Sequence, residues 1–285
     1  MNQSVPGRSD ANPIDADAFN TFETAGWQHQ APTYGQFIGR LTERFVGPLL
    51  DVAGVGPGTR LLDLATGPGY AAAEATRRGA SAVGADIAPA MVELARRLHP
   101  GLDFRVADGE ALPFADGSFD AVVGNFVVPH LGRHQRVVSE LVRVLDGGGT
   151  LALTTWDTPD RMRLLGIFLD AIAEAGATAP DDIPVGPPFF LFSDDGKFRS
   201  LLVDAGLTAA QVTTIAHIAH VGTADELWDG MLSGTVRTSA LLQRQPDQTQ
   251  RRIRAAFDRL VIGYQHGDHL ELPVSVKLAC GRKPV

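Results

Sequence analysis

Apolar and polar positions along this chain follow two periods. Phe37, Leu41, Phe45 and Leu49 recur every four residues, so Ala18 to about Val52 is predicted as helix, with Pro48 expected to kink or end it. Val55-Gly-Pro-Gly-Thr59 reads as a turn. Short apolar runs then predict strands over 60–65, 81–86, 102–107, 119–128 and 150–156. Amphipathic runs over 70–78, 89–98 and 133–145 predict helices among them. Strands alternating with helices of this length make βαβ units, so the fold class is α/β, with a parallel sheet covered on both faces.

The second half is less regular. A helix over 161–175 ends at Gly176, and 179–193 is a loop rich in proline and aromatic residues. A helix over 197–205, a strand over 210–221, helices over 224–232, 236–245 and 247–264, and a strand over 273–281 complete the pattern. Three parts follow: a disordered tail over 1–17, a core with N-terminal lid helices over 18–160, and a helical substrate lid with the last two strands over 161–285.

The 285 residues are 44% hydrophobic and 20% charged, the profile of a folded chain. Thirty-three acidic against 25 basic residues give a formal charge of −8, without the basic footprint of a nucleic-acid partner. The N-terminus lacks the apolar core of a signal peptide, and no run is long enough to span a membrane. The expectation is a cytoplasmic protein with no membrane or nucleic-acid partner; a homodimer is compatible with it. The single cysteine, Cys280, rules out an internal disulfide and reads as a small buried hydrophobe. His266-Gly-Asp-His269 lacks a third ligand at recognisable spacing, so no metal is expected.

The chemistry gathers where ligands bind in open α/β sheets, at the carboxyl ends of the strands. The first strand runs into Asp63-Leu-Ala-Thr-Gly-Pro-Gly-Tyr70, and Asp86 ends the second. Gly67 and Gly69 allow a tight turn and close approach of a ligand, and a carboxylate at Asp86 suits two ribose hydroxyls. Gly67 to Ala72 formally fits the dinucleotide pattern G-x-G-x-x-A. Asp63 argues against a pyrophosphate there, because an unpaired carboxylate would repel it. An acidic strand end suits a ligand with an ammonium and a sulfonium better.

With these residues the chain resembles the class I S-adenosylmethionine-dependent methyltransferases over roughly residues 30–282. LLDLATGPG (61–69), GADIAPAM with Asp86, VADGEALPF with Asp108, DGSFDAVVGNFVVPHL (116–131) and RVLDGGGTLALTTW (143–156) stand in the family's motif order. Ala65 takes the place of the first glycine of many members. The resemblance implies a Rossmann-like seven-stranded sheet of order 3-2-1-4-5-7-6, with the last strand antiparallel. It implies S-adenosyl-L-methionine as cofactor, held by Tyr34, Asp63, Ala65, Gly67, Gly69, Asp86, Ile87, Met91, Asp108, Gly109, Glu110, Asn125 and Phe126. The branch it suggests is the small-molecule methyltransferases of bacterial specialised metabolism, with a C, N or O atom as acceptor.

His130 follows strand four, where the family places the reaction, and is either a general base or a structural histidine beneath the cofactor. Trp27, Phe189, Phe190, Phe192 and Trp228 are candidate walls of an apolar acceptor pocket. Arg237 either anchors an acidic acceptor or forms a surface ion pair. The segments 27–38 and 179–193 are expected to close over the site as loops. Two rivals stay open: a nicotinamide-dependent oxidoreductase, disfavoured by the lack of a Tyr-x-x-x-Lys pair, and a binder that has no catalytic role.

Overall fold

A computed structural model describes residues 14–285. The expected tail over 1–17 lies largely outside the described residues, but its last positions are ordered differently from that reading. Asp15 accepts from the backbone N–H groups of Asp17 and Ala18, so helix α1 starts at Ala16 and runs to Tyr34. The single long helix predicted over 18–52 is three: α1, α2 (Ile38–Glu43) and α3 (Val46–Val52). Pro48 lies in the first turn of α3, where no intrahelical N–H is needed, so it begins a helix rather than ending one.

The core then alternates: β1 (Arg60–Leu64), α4 (Tyr70–Arg77), β2 (Ser81–Asp86), α5 (Pro89–Leu98), β3 (Asp103–Val106), β4 (Phe119–Gly124), α6 (His134–Val144) and β5 (Leu145–Trp156). After it come α7 (Arg163–Glu174), α8 (Asp195–Asp204), β6 (Thr208–Val221), α9 (Ala224–Gly234), α10 (Arg237–Gln243), α11 (Asp247–Val261), β7 (Gln265–His266) and β8 (His269–Arg282). The sheet order is β3-β2-β1-β4-β5-β8-β6, with β1 to β5 parallel and β8 antiparallel to both neighbours. This is the expected order with the last long strand in seventh place. The two-residue β7 is an addition, pairing with the start of β8 as a hairpin.

β1 and β4 are buried on both faces, as their continuous apolar runs require. α3 and α4 pack through Leu49, Leu50, Ala71 and Ala75 on one face, α6 and α8 through Leu141, Val138, Phe198 and Leu202 on the other. A further core, built by Phe168, Trp228, Met231, Ile253 and Phe257, joins α7, α9 and α11 over the ends of β6 and β8. The hairpin also sets His269 in a group that the His266–His269 spacing does not show: His220 of β6, His269 and Glu271 bring ligand atoms within 4.8 Å of one another. Among the described residues no helix is long and apolar enough to cross a membrane.

β4 stops at Gly124 instead of Val128. Phe126 has φ +60°, which no strand accommodates, and the chain turns there into a short 3-10 turn over Val128–His130. That turn brings His130 back over the carboxyl edge of the sheet.

Candidate active site

The carboxyl ends of β1, β2 and β4 open into a cavity of about 1250 Å3 including its mouth, roofed by α1 and the α9–α10 junction.

Its floor is the loop after β1. Ala65, Gly67 and Gly69 have φ of +53°, +52° and +86°, a run of left-handed residues that coils the backbone tightly. The two glycines serve different ends. A Cβ on Gly69 would lie 2.7 Å from the Phe104 ring, whereas one on Gly67 would meet nothing within 4 Å and would project into the ligand space.

Two carboxylates clamp this loop. Asp63 is buried, accepting from Thr66 Oγ1 at 2.6 Å and from the Ala72 N–H at 3.1 Å. It lies behind the cavity wall, so the expectation that it faces the ligand is corrected: desolvation pushes its pKa up to about 7, and it shapes the loop from within. Asp86 accepts from the N–H groups of Gly67 at 3.0 Å and Ala88 at 2.9 Å and does line the cavity, its pKa raised by burial. Gly67 and Ala72 are backbone donors a pyrophosphate would need at this loop–helix junction, and both are already given to carboxylates. Neither N–H is therefore free for a phosphate.

Beside Asp86 the wall is apolar, from Ile87 and Met91, followed by Asp108 and Gly109. Glu110 reaches the cavity, but its carboxylate is held by Asn20 Nδ2 at 2.8 Å and by Arg133 and Arg136, which fastens α1 to the core. Asn125 is likewise a strut: it donates to the Thr42 carbonyl and accepts from Thr154 Oγ1. Phe126 stacks on Trp156 with ring centroids 3.9 Å apart and lines the far end.

α1 forms the roof. It is tied to α5 by Gln28, which accepts from the Ala90 N–H, and to the end of α9 by Gln30 and Thr33, which donate to the carbonyls of Leu232, Thr235 and Ser233. Residues 27–34 are therefore helix, as the periodicity over 18–52 predicts, and not the loop expected to close over the site. Tyr34 lines the cavity, its hydroxyl 3.1 Å from Thr42 Oγ1 and pushed up to about 12 by burial. Trp27 meets Tyr34 and His130 edge to face.

His130 stands between Trp27 and Phe189, its Nδ1 2.9 Å from Glu23 Oε2, which also accepts from the Trp27 indole N–H at 3.1 Å. Glu23 is 3% exposed. An acceptor at Nδ1 puts a proton on that nitrogen and leaves Nε2 as the ring atom turned away from Glu23. The sequence reading missed Asn20, Glu23 and Thr24, although with Trp27 they fall at i, i+3, i+4 and i+7 on one face of α1.

Of the expected acceptor walls, Trp27, Phe189 and Arg237 line the cavity. Trp228 does not: it packs between Phe168 and Phe257 inside the lid, under Arg254. Phe190 packs behind Phe189, and Phe192 is buried against His134 and Phe198.

Residues 62–153 match a family model described as a methyltransferase domain. The chain is 34% identical over 173 residues to an uncharacterised protein of Mycobacterium tuberculosis strain H37Rv, a match covering 58% of this chain and 61% of that one. It is 36% identical over 139 residues to the demethylmenaquinone methyltransferase of Beutenbergia cavernae, covering 46% of this chain and 58% of that enzyme. These matches thus span about three fifths of the relatives' length. Among solved structures the YcgJ protein of Bacillus subtilis superposes with a TM-score of 0.57 at 19% identity, over 85% of this chain and 99% of that one, which shows the shared fold. Motif order, sheet order and the matched domain agree: residues 62–153 form a methyltransferase domain, on a sheet with the strand order of the class I methyltransferase fold.

Proposed function

We propose that this protein binds S-adenosylmethionine and methylates a small, partly apolar acceptor held between the nucleoside cleft and the lid. The observation that carries this reading is the pair of loop amides given to Asp63 and Asp86, which favours a nucleoside without phosphates over a dinucleotide. The residues present fit the cofactor. Asp86 offers its remaining carboxylate lone pairs to ribose hydroxyls, Ile87 and Met91 an apolar wall for the base, Asp108 an acceptor beside it, and bare Gly67 the space for close approach. When bound, S-adenosylmethionine supplies a methyl carbon already activated by its sulfonium.

The chain's own residues then have the tasks of placing the acceptor, excluding water and holding its proton. Trp27, Phe126, Trp156 and Phe189 offer flat apolar walls. Positioning of this kind supplies about 7–11 kcal/mol in favourable cases. Nε2 of His130, with Nδ1 engaged by Glu23, is the ring atom free to take the proton of an acceptor O–H or N–H. Glu23 acts through His130 and is a positioning residue.

Isothermal titration with S-adenosylhomocysteine tests the cofactor site. Asp86→Asn keeps the size of the side chain but replaces one acceptor oxygen by a donor, and should weaken binding by about 10- to 100-fold, the worth of one or two charged hydrogen bonds. Unchanged affinity contradicts the ribose role of Asp86.

A further inference from the structure

Two charged side chains at the lid end of the cavity keep unused hydrogen-bonding capacity. Oε2 of Glu23 is engaged by His130 and Trp27, while Oε1 is buried without a hydrogen-bond partner. Arg237 lines the same cavity, its guanidinium over the rings of Phe19 and Phe189 at 5.3 and 5.4 Å. It donates to the Pro187 carbonyl at 3.1 Å and forms no ion pair among the described residues. Burial pulls its pKa down, and Glu23 acts on it through space without contact.

A guanidinium has five N–H donors in a planar fork that matches a carboxylate, and the partly buried Arg237 spends only one of them on a carbonyl. Glu23 does not contact Arg237, whose N–H donors other than the one given to Pro187 are left for a ligand. His130 meets the same Phe189 ring that the Arg237 guanidinium covers. The aromatic walls between the two call for a flat body.

On these grounds, and resting on the methyltransferase reading above, we propose that the acceptor is a planar hydroxy- or amino-carboxylic acid. Its carboxylate sits on Arg237, and its O–H or N–H points to Nε2 of His130. The surface ion pair considered for Arg237 is not formed, and the residue becomes the determinant of acceptor charge. In the transfer the acceptor oxygen or nitrogen gains the methyl carbon as the carbon–sulfur bond breaks, the electron pair stays on sulfur, and the acceptor proton goes to His130 Nε2.

The test is isothermal titration of the full chain, saturated with S-adenosylhomocysteine, with hydroxybenzoic and aminobenzoic acids, each against its own methyl ester. At least one acid is expected to bind tenfold or more tightly than its ester. Arg237→Gln should abolish that preference, and Arg237→Lys, which keeps the charge without the fork, should retain part of it. A panel in which no acid outbinds its ester, including one in which nothing binds, overturns the proposal. So does an acid preference that survives Arg237→Gln. The affinity for S-adenosylhomocysteine is read first in every sample: its absence from the wild-type protein overturns the underlying methyltransferase reading, whereas its presence without an acid preference overturns the acid acceptor alone.

Discussion

Ala65 holds φ +53° at the first turn of the cofactor loop, a conformation that costs a residue with a Cβ about 1–2 kcal/mol relative to glycine. Ala65→Gly should therefore stabilise the protein by up to about 1 kcal/mol once the added freedom of the unfolded chain is subtracted, read as a higher urea midpoint. A lower midpoint would show that the methyl packs usefully. At Gly67 the opposite change fills the cleft, so Gly67→Val should abolish S-adenosylhomocysteine binding in a protein that still unfolds cooperatively. His130→Ala should slow turnover of the methylated acceptor by about 10²–10⁴, the usual worth of a positioned base. Glu23→Gln should lower kcat about tenfold while leaving S-adenosylhomocysteine affinity unchanged; a loss confined to KM would remove its positioning role. Gly67 and Asp86 are legible in the sequence because a turn and a strand-end carboxylate are local properties. The direction of Asp63 is not, since it depends on the hydroxyl of Thr66 and the N–H of Ala72, which the folded loop brings to it.

At the scale of elements the alternation of strands and helices locates β1 and β2 to within a residue, whereas β5 begins at Leu145, before the predicted start at Thr150, because Asp146 and the three glycines after it hide the strand from an apolar search. The end of β4 escapes that signal: Val127 and Val128 continue the apolar run, but the left-handed Phe126 has already turned the chain. α1 is the larger omission. Its function-bearing face is polar, so a search for apolar periodicity passes over Asn20, Glu23 and Thr24. The lid helices approach closely through glycines that no period marks. A Cβ at Gly230 of α9 would lie 2.3 Å from the Phe37 ring. Gly230→Ala should cost about 1–3 kcal/mol of stability, seen in chemical denaturation, since overpacking at this contact must displace the ring. A change within a few tenths would show that the α9 contact yields freely.

Over the whole molecule the order of the sheet follows from the motif sequence, and the acidic balance of the chain from its composition. The acceptor does not, because it is set by side chains from α1, the 187–190 segment and α10 that meet only in the folded protein. Global stability also carries the imprint of the cofactor loop. Asp63 has its pKa raised to about 7 from an ordinary 3.8. Below pH 4 the folded and unfolded chains both hold its proton. Between pH 4 and 7 the unfolded chain releases it first, so the contribution of Asp63 falls as pH rises and is gone above 7. Asp63→Asn should thus gain stability relative to wild type across that window, by at most about 1.4 kcal/mol per pH unit for one proton, and run parallel to it above pH 7.5. A constant difference from pH 4 to 8 would show that Asp63 titrates normally.

The central claim is that the cleft accepts a nucleoside without phosphates because the loop N–H groups of Gly67 and Ala72 are already given to carboxylates. Thermal unfolding of the wild-type protein with S-adenosylmethionine, S-adenosylhomocysteine, NAD or NADP added separately tests it most directly. A ligand at about 100 times its dissociation constant adds about 2.7 kcal/mol, a rise of several degrees for a chain of this length. The account predicts that rise with the two sulfur nucleosides and none with the dinucleotides. A rise with NAD or NADP alone would contradict it and make the protein an oxidoreductase on the same sheet.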